Sequence, residues 1–361
     1  MERKPTIYVI IPVYKAEKYI AQTLNSVLSQ PYTNIEIICV DDGSPDDSIS
    51  ILRDYEKQYE NVYVIRQENC GVSRSRNTGI DYALEHCSDG DYLTFLDADD
   101  LWTKNSVTEE FVCGNFDSDC VACADVCCTN DLSRTAAPFE VAARHIFGGK
   151  ESIWCHGDVH MGAVFYACGV IRKYQIRFAR GLSYSEDKQF KYACFFLAES
   201  INLTNLVLYC YRANPLSAIH QRKHGIDFMP PVIREYGKLR EFLRPYENDT
   251  RGSAVFCEVL AGVHGLEMCA EHFAHFHSAS GLKRFMEANP DLAEAILRPD
   301  ASDMSDQHNT MRHQYLHAPL QFRLSCCKDG IKLLLRSLLL KNKRIQEIGI
   351  RRRYPFPNKY L

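Results

Sequence analysis

Three carboxylates stand within four positions at the end of an apolar run, in the sequence YLTFLDADDLW (residues 92–102). They belong to Asp97, Asp99 and Asp100. Aspartate is common in turns, so one interpretation is a polar turn that follows a buried strand. The other is a cation site, because hard carboxylate oxygens suit Mg²⁺ and Mn²⁺. The predicted strands and helices around these residues are needed to choose between a polar turn and a cation site.

Polar residues also follow two earlier apolar runs. IYVIIPVY (residues 7–14) ends in Pro12 and Tyr14, and IEIICV (residues 35–40) runs into Asp41 and Asp42. Successive strand residues point to opposite faces, so Asp41 and Asp42 are not expected to share a role. The DDGSPDDS that follows predicts a helix capped by Ser44.

Strands and helices alternate in residues 1–100. The apolar runs at 7–14, 35–40, 62–66 and 92–96 are short, like strands buried on both faces, and helical spacing separates them. This alternation predicts a parallel α/β sheet. Ligands of such sheets bind beyond the carboxyl ends of the strands, which is where the aspartates lie.

A phosphate-binding glycine loop of the P-loop or dinucleotide-binding type does not follow the first strand. A phosphorylated ligand would therefore need a metal ion. Asp97 and Asp99 could hold Mg²⁺ or Mn²⁺ together with the phosphates of the ligand, which is a usual arrangement for Mg²⁺.

Length and composition are those of a soluble globular protein large enough for two domains: 361 residues, of which 46% are hydrophobic and 24% charged. The first apolar run is too short for a signal peptide or a membrane span, so a cytoplasmic protein is expected. The 16 cysteines are scattered and are expected to be reduced. Cys120 and Cys123 do not indicate zinc, because SDCVACADVCC is typical of a strand and places them on opposite faces.

Five motifs, in this order, resemble the GT-A domain of family 2 glycosyltransferases. They are VIIPVYKAEKYIAQTLNSVLSQPYTNIEIICVDDGSPDDS, NCGVSRSRNTGID, YLTFLDADD, IRFARGLSYSEDKQF and YCYRANPLSAIHQ. The resemblance implies an α/β fold of the GT-A type, a Rossmann-like, mostly parallel sheet flanked by helices. It also implies transfer of a sugar from a nucleotide donor with inversion at the anomeric carbon.

The resemblance further implies which residues contact the nucleotide sugar. Asp42 would hydrogen-bond the uracil ring, and Arg76 would lie near the ribose and diphosphate unless it is a solvated helix residue. Arg212 would reach the diphosphate or only stack on Tyr211. The implied contacts are Pro12, Tyr14, Asp42, Arg76, Asn77, Asp97 and Arg212.

The metal motif of the family matches Asp97-Ala98-Asp99. Asp99 would bind the cation that bridges the diphosphate, and Asp97 would lie near the ribose or the metal. His220 is a candidate third ligand, since imidazole is also used for Mn²⁺. The alternative for a histidine in a loop is that it is simply solvated.

The acidic pair in SYSEDKQF matches the residues of the family that act on the acceptor. The attacking hydroxyl must lose a proton, and Asp187 would be the general base. Glu186 would touch the acceptor or hold the loop. Ser185 is also predicted to cap a helix here, with both acids in its first turn. The preceding HMGAVFYACGVIRKYQIRF departs from the K-L-Y-R stretch common in relatives.

Residues 1–222 are predicted to form the catalytic domain, and residues 223–361 a mainly helical region. Residues 321–361 carry 11 Lys and Arg against two acidic residues, and 331–353 are expected to form a basic amphipathic helix. Such a helix either binds an anionic membrane surface or packs on the enzyme. No module for nucleic acid is recognisable.

We therefore expect a metal-dependent enzyme that transfers a sugar from a UDP-sugar to a glycan or lipid-linked glycan in bacterial surface polysaccharide synthesis. Its location would be the cytoplasm, peripheral at the inner face of the cell membrane if the basic helix binds there. The other hypotheses are a different donor, such as a dTDP- or GDP-sugar, and an inactive GT-A module that binds sugar nucleotide or glycan as a scaffold.

Overall fold

The computed structural model describes residues 3–132, 144–147, 159–180 and 186–213, and the short stretches 238–239, 241–246, 287–288 and 290. The chain divides into two compact units, one of Met1–Gln221 with Arg353–Leu361 and the other of Arg222–Arg352. The basic helix expected at 331–353 lies outside the described residues. The two-domain boundary and the helical character of the C-terminal region stay predictions.

The first unit alternates strands and helices along its N-terminal part, as the sequence predicts. The strands and helices are β1 (Ile7–Val13), α1 (Ile20–Leu28), β2 (Ile35–Asp41), α2 (Ser48–Gln58), β3 (Val62–Arg66), α3 (Val72–His86), β4 (Tyr92–Phe95), β5 (Leu101–Trp102) and α4 (Glu109–Asn115). The chain continues with β6 (Cys120–Thr129), β7 (Arg144–Phe147), β8 (Val164–Ala167), α5 (Cys168–Tyr174), α6 (Glu186–Leu197) and β9 (Ser200–Ala213). Single 3₁₀ turns cover Met161–Ala163 and Arg244–Tyr246.

Nine strands form one sheet within the described residues, in the order β3-β2-β1-β4-β8-β6-β9-β5, and β7 pairs with β9. The strands β3, β2, β1 and β4 are mutually parallel, which confirms the predicted parallel sheet. β8 then runs antiparallel to both β4 and β6, whereas β6 and β9 are parallel. The result is a mixed, mostly parallel sheet whose parallel half holds the strands of the sequence motifs.

The core contains the apolar residues of the strands and of the helices that pack on them. Every residue of β1 is buried, as expected for a strand covered on both faces. In α1 the residues Ile20, Leu24 and Val27, which have the spacing of one helical face, are buried. The cysteine-rich segment is a strand, β6, as predicted, and its Cys120 and Cys123 are both buried.

The predicted start of α2 is wrong by one turn. The helix begins at Ser48 after Asp47, and not after Ser44. The hydroxyl of Ser44 instead accepts the backbone N–H of Lys15 at 3.2 Å, and that of Ser48 accepts the N–H of Ala16 at 2.9 Å. These two side chains hold the loop after β1. A capping pattern describes only residues close in sequence, so it does not reveal these contacts.

Candidate active site

The carboxyl ends of β1, β2 and β4 meet at one edge of the sheet. Both β2 and β4 pair with β1 in parallel, so Asp42 after β2 and Asp97 after β4 flank the end of β1. That end contains Pro12, which is buried within the strand, and Tyr14, which is 47% exposed. The tertiary structure thus gathers at one edge the polar residues that the sequence placed at separate strand ends.

Both carboxylate oxygens of the buried Asp42 accept hydrogen bonds from the loop that leads into α3. Oδ1 accepts from Gln67 Nε2 at 2.8 Å and from the N–H of Cys70 at 2.9 Å, and Oδ2 accepts from the N–H of Gly71 at 2.8 Å. Gly71 has a φ of 89°, a region that favours glycine, and precedes the first residue of α3. Asp41 takes no part in these contacts, as strand alternation predicts. Asp42 therefore anchors the start of α3, and its contact with uracil stays a prediction.

Arg76 lies near the start of α3 and connects the two acidic clusters of the sequence. Its guanidinium is 2.9 Å from Asp97 Oδ1 and 3.3 Å from Glu186 Oε1. The side chain is buried, and its carbon Cζ lies 5.3 Å from the ring centre of Phe178. The alternative of a solvated helix residue is therefore wrong for Arg76.

Asn77 supports this arrangement from the next position of the helix. Its amide nitrogen donates to the carbonyl of Phe178 at 3.0 Å, and its amide oxygen accepts the N–H of the same residue at 2.9 Å. Because both ends of the amide are engaged, Asn77 positions the ring that packs against Arg76. Its predicted contact with the nucleotide sugar stays a prediction.

Burial and the ion pairs shift the pKa values of Arg76 and its two partners. Burial alone would lower the pKa of Arg76, but Asp97 and Glu186 outweigh it and raise the pKa above its usual value. Burial would raise the pKa of Asp97, but Arg76 holds it below the usual range. For Glu186 burial prevails, and its pKa is raised. Asp97 is thus the more strongly ionised of the two partners of Arg76.

The third carboxylate of DADD has a structural role. Asp100 is buried, and its oxygens accept from the hydroxyl of Tyr209 at 2.5 Å and from the N–H of Arg212 at 2.7 Å. Burial raises the pKa of Asp100 well above its usual value. The loop between β4 and β5 is thereby tied to β9.

Arg212 is buried and its guanidinium is engaged within the protein. Its nitrogens donate to the carbonyls of Asp99 and Asn130 and to the side chain of Gln22, at 2.6–2.9 Å. The guanidinium lies over the ring of Tyr19, 5.0 Å from its centre. Arg212 therefore braces the loop of the metal motif, and its predicted reach to the diphosphate stays a prediction.

Asp97 and Asp99 have the chemistry that a hard divalent cation needs. Arg76 engages only Oδ1 of Asp97, whose side chain is 33% exposed, and Asp99 is half-buried. Within the described residues no three His, Cys, Asp or Glu side chains form a group that could hold a metal. The candidate ligand His220 lies outside that part of the chain. Two carboxylates fit a cation that takes its other ligands from phosphates and water.

Glu186 and Asp187 open α6. Asp187 is half-buried, and its charge acts on the pKa of both Arg76 and Glu186. The carboxylate predicted to be the base therefore lies near the ion-pair network that holds Asp97. Its catalytic role stays a prediction, and the proposed cap Ser185 lies outside the described residues.

His160 is a residue of this site that the sequence interpretation missed. It is half-buried, and its backbone N–H donates to Asp125 Oδ2 at 3.2 Å. Burial lowers the pKa of the imidazole, against the opposing effect of nearby Asp97, Asp125 and Asp187. The sequence could have indicated His160, since this residue begins the HMGAVFY stretch that departs from the K-L-Y-R pattern. It indicated Asp125 less clearly, by placing an acidic residue inside a strand that is otherwise mostly buried.

The mixed, mostly parallel sheet with acidic residues at one edge is a fold of the GT-A type. Residues 8–125 match the family model described as Glycosyl transferase family 2. The predicted GT-A fold class and the predicted resemblance to this family are thus confirmed.

Relatives and solved structures agree with this assignment. EpsJ of Bacillus subtilis, named an uncharacterized glycosyltransferase, is 31% identical over 223 residues, which cover 59% of this chain and 62% of EpsJ. The poly(ribitol-phosphate) beta-glucosyltransferase of Bacillus spizizenii is 43% identical over 98 residues, 26% of this chain and 15% of that protein. The crystal structure of S. aureus TarS 1-349 in complex with UDP-GlcNAc superposes with a TM-score of 0.64 at 16% identity, covering 91% of this chain and 92% of TarS 1-349. The chain thus spans about three-fifths of the length of EpsJ, the first of these relatives.

Among the described residues, no helix is both long and apolar enough to cross a membrane.

Proposed function

We propose that this protein is a metal-dependent, inverting glycosyltransferase that moves a sugar from a UDP-sugar to a hydroxyl of a glycan. The observation that carries the proposal is the bridge formed by Arg76 between Asp97 and Glu186. It brings the carboxylates at the end of β4 and those at the start of α6 into one site. A transferase needs both, one set toward the donor and one toward the acceptor.

The donor would be held at the carboxyl ends of the strands. Asp97 and Asp99 would hold Mg²⁺ or Mn²⁺, which when bound neutralises charge on the diphosphate leaving group. Tyr14 offers an exposed ring beside the end of β1, suited to packing against a nucleobase. UDP is favoured over other nucleotides because TarS, a protein of the same fold, has been solved with UDP-GlcNAc.

Asp187 would take the proton of the attacking acceptor hydroxyl. The acceptor oxygen forms a bond to the anomeric carbon from the face opposite the leaving group, which inverts that carbon. The bond between the anomeric carbon and the phosphate oxygen breaks, and UDP leaves with the electron pair. Glu186, held by Arg76, would keep the start of α6 in place, so that Asp187 lies within reach of the hydroxyl.

The pathway we propose is the synthesis of a bacterial surface polysaccharide. Support comes from the similarity to a poly(ribitol-phosphate) beta-glucosyltransferase, whose name indicates a polymer acceptor. We further propose a lipid-linked glycan as acceptor and a location in the cytoplasm, at the inner face of the cell membrane, with the basic residues of 331–353 on the anionic surface.

The experiment that tests this function is a screen of UDP-sugars for binding and hydrolysis, with Mn²⁺ and with EDTA. We expect UDP binding to weaken in EDTA, and Asp99→Asn to reproduce that loss in Mn²⁺. Equal affinity with and without the metal would refute the metal role. Tight UDP binding with no turnover of any sugar or acceptor would favour an inactive scaffold.

A further inference from the structure

The ring of His160 has a defined tautomer. Its Nδ1 accepts the backbone N–H of Gly162 at 3.1 Å, and an accepting nitrogen carries no proton. In the neutral imidazole the proton therefore lies on Nε2, which becomes a hydrogen-bond donor. Within the described part of the chain no residue is bonded to Nε2, so this donor is available to a ligand.

The ring is also held in one orientation. It packs on Tyr209, with ring centres 4.1 Å apart at an angle of 31°, and the Tyr209 hydroxyl is bonded to Asp100. The backbone N–H of His160 is bonded to Asp125, which limits movement of the main chain. A donor fixed on packed elements loses little freedom when it binds a ligand.

His160 lies beside the end of β4, because the hydroxyl of Tyr209, on whose ring the imidazole packs, accepts the backbone N–H of Asp97 at 3.4 Å. Asp97 comes from the end of β4, Asp125 from β6 and Asp187 from the start of α6, and the charges of all three act on the imidazole. His160 thus lies next to the end of β4, where the donor phosphates are assigned, and the charge of Asp187, the residue assigned as base, acts on its imidazole. In the reaction proposed above, the group between the phosphates and the base is the sugar being transferred.

We propose that His160 Nε2 donates a hydrogen bond to a hydroxyl oxygen of the transferred sugar and helps to decide which sugar the site accepts. This inference rests on the proposed function. A role confined to capping the turn Met161–Ala163 would need only the Nδ1 acceptor. The shorter side chain of asparagine supplies such an acceptor as well, so the two roles can be separated by substitution.

The test compares His160→Asn with His160→Gln. Asparagine can accept the N–H of Gly162 but has no donor at the position of Nε2, whereas the longer glutamine amide can place a donor there. His86→Asn is the matched control, because His86 is an exposed histidine at the end of α3. Calorimetry in Mn²⁺ would give the Kd of UDP and of UDP-glucose, UDP-galactose, UDP-N-acetylglucosamine and UDP-N-acetylgalactosamine.

We expect His160→Asn to leave the Kd of UDP unchanged, and the fall in melting temperature from the lost packing on Tyr209 to be similar in His160→Gln. In His160→Asn the ratio of Kd for UDP-sugar to Kd for UDP should rise about three- to tenfold for at least one sugar, as expected for one lost hydrogen bond. His160→Gln should recover part of this loss. Wild-type ratios for all four sugars in His160→Asn, or an equal loss of UDP and UDP-sugar affinity, would overturn the inference. Failure of the wild type to bind UDP at all would instead refute the proposed function.

Discussion

Arg76 donates a hydrogen bond of 2.9 Å to Asp97, and this pair joins α3 to the end of β4. The same guanidinium reaches the first residue of α6 at 3.3 Å. One buried cation thus connects the carboxylates proposed for the donor with those proposed for the acceptor. Its planar fork suits this task, because it can meet two carboxylates at once.

Arg76→Lys should therefore keep the charge but lose one of the two contacts. We expect a larger fall in transfer rate than in UDP affinity, since the lysine ammonium can reach Asp97 or Glu186 but not hold both. Arg76→Met should also lower the free energy of unfolding, by about 3 kcal/mol, because it leaves the partly buried carboxylates of Asp97 and Glu186 unpaired. The measurements are transfer kinetics and denaturant unfolding.

The control for Arg76 is Arg177→Lys. Arg177 pairs with Asp81 at 2.9 Å on the surface, and exposed pairs contribute only about 0–1 kcal/mol. Equal effects of the two lysine substitutions would contradict a connecting role for Arg76.

Asp187→Asn should abolish most sugar transfer while leaving UDP and metal binding intact. The amide has nearly the same size but cannot accept the proton of the acceptor, and loss of a general base lowers rates by roughly 10²–10⁴-fold. Transfer rate and melting temperature would be measured on one preparation, and Glu186→Gln, which removes a positioning contact but not the base, should lose less transfer. A variant with near-normal transfer would remove Asp187 as the base. A lower melting temperature with normal turnover would indicate a helix-capping role alone.

Gly162→Ala should destabilise the protein. A Cβ at this position would lie 2.3 Å from Cε2 of the buried Tyr209 and 2.6 Å from the carbonyl oxygen of Phe95. Overpacking of this kind costs typically about 1–3 kcal/mol, because neither atom can move freely. Gly90→Ala is the control, since a Cβ there meets no atom within 4 Å. Thermal unfolding of the two variants decides, and equal melting temperatures would show that the contact with Tyr209 relaxes easily.

Cys87 should be alkylated readily near neutral pH. A hydrogen bond from the Cys168 thiol lowers the pKa of Cys87 to about 7, against the opposing effect of burial, and the Arg172 guanidinium, 3.1 Å from its sulfur, adds to the lowering. The thiolate is the reactive form, so the rate should rise with pH and reach half its maximum near pH 7. Iodoacetamide labelling of the Cys87 peptide, followed by mass spectrometry, measures this rate.

Arg172→Met provides the comparison for Cys87. Without the cation, the midpoint should move up towards the value of about 8.5 for a free thiol. An unchanged midpoint would mean that Arg172 has no part in activating Cys87.

Much of the fold was determined by the sequence alone. The continuous apolar runs that became β1, β2, β3 and β4 and the apolar stripe of α1 depend on local spacing and burial, which a sequence displays directly. Asp42 and Asp97 could be placed at the ligand edge for the same reason, because parallel strands bring their carboxyl ends together.

Only the tertiary structure decided what each polar side chain contacts. Asp97 and Asp100 lie in the same short acidic motif but have different partners. Asp97 pairs with Arg76, whereas Asp100 accepts a hydrogen bond from Tyr209, which lies more than a hundred residues away along the chain. His160 enters the site in the same way, because β8 and the turn before it fold beside β4. Hydrogen bonds and ion pairs act over a few ångströms in space, whereas sequence patterns record only neighbours along the chain.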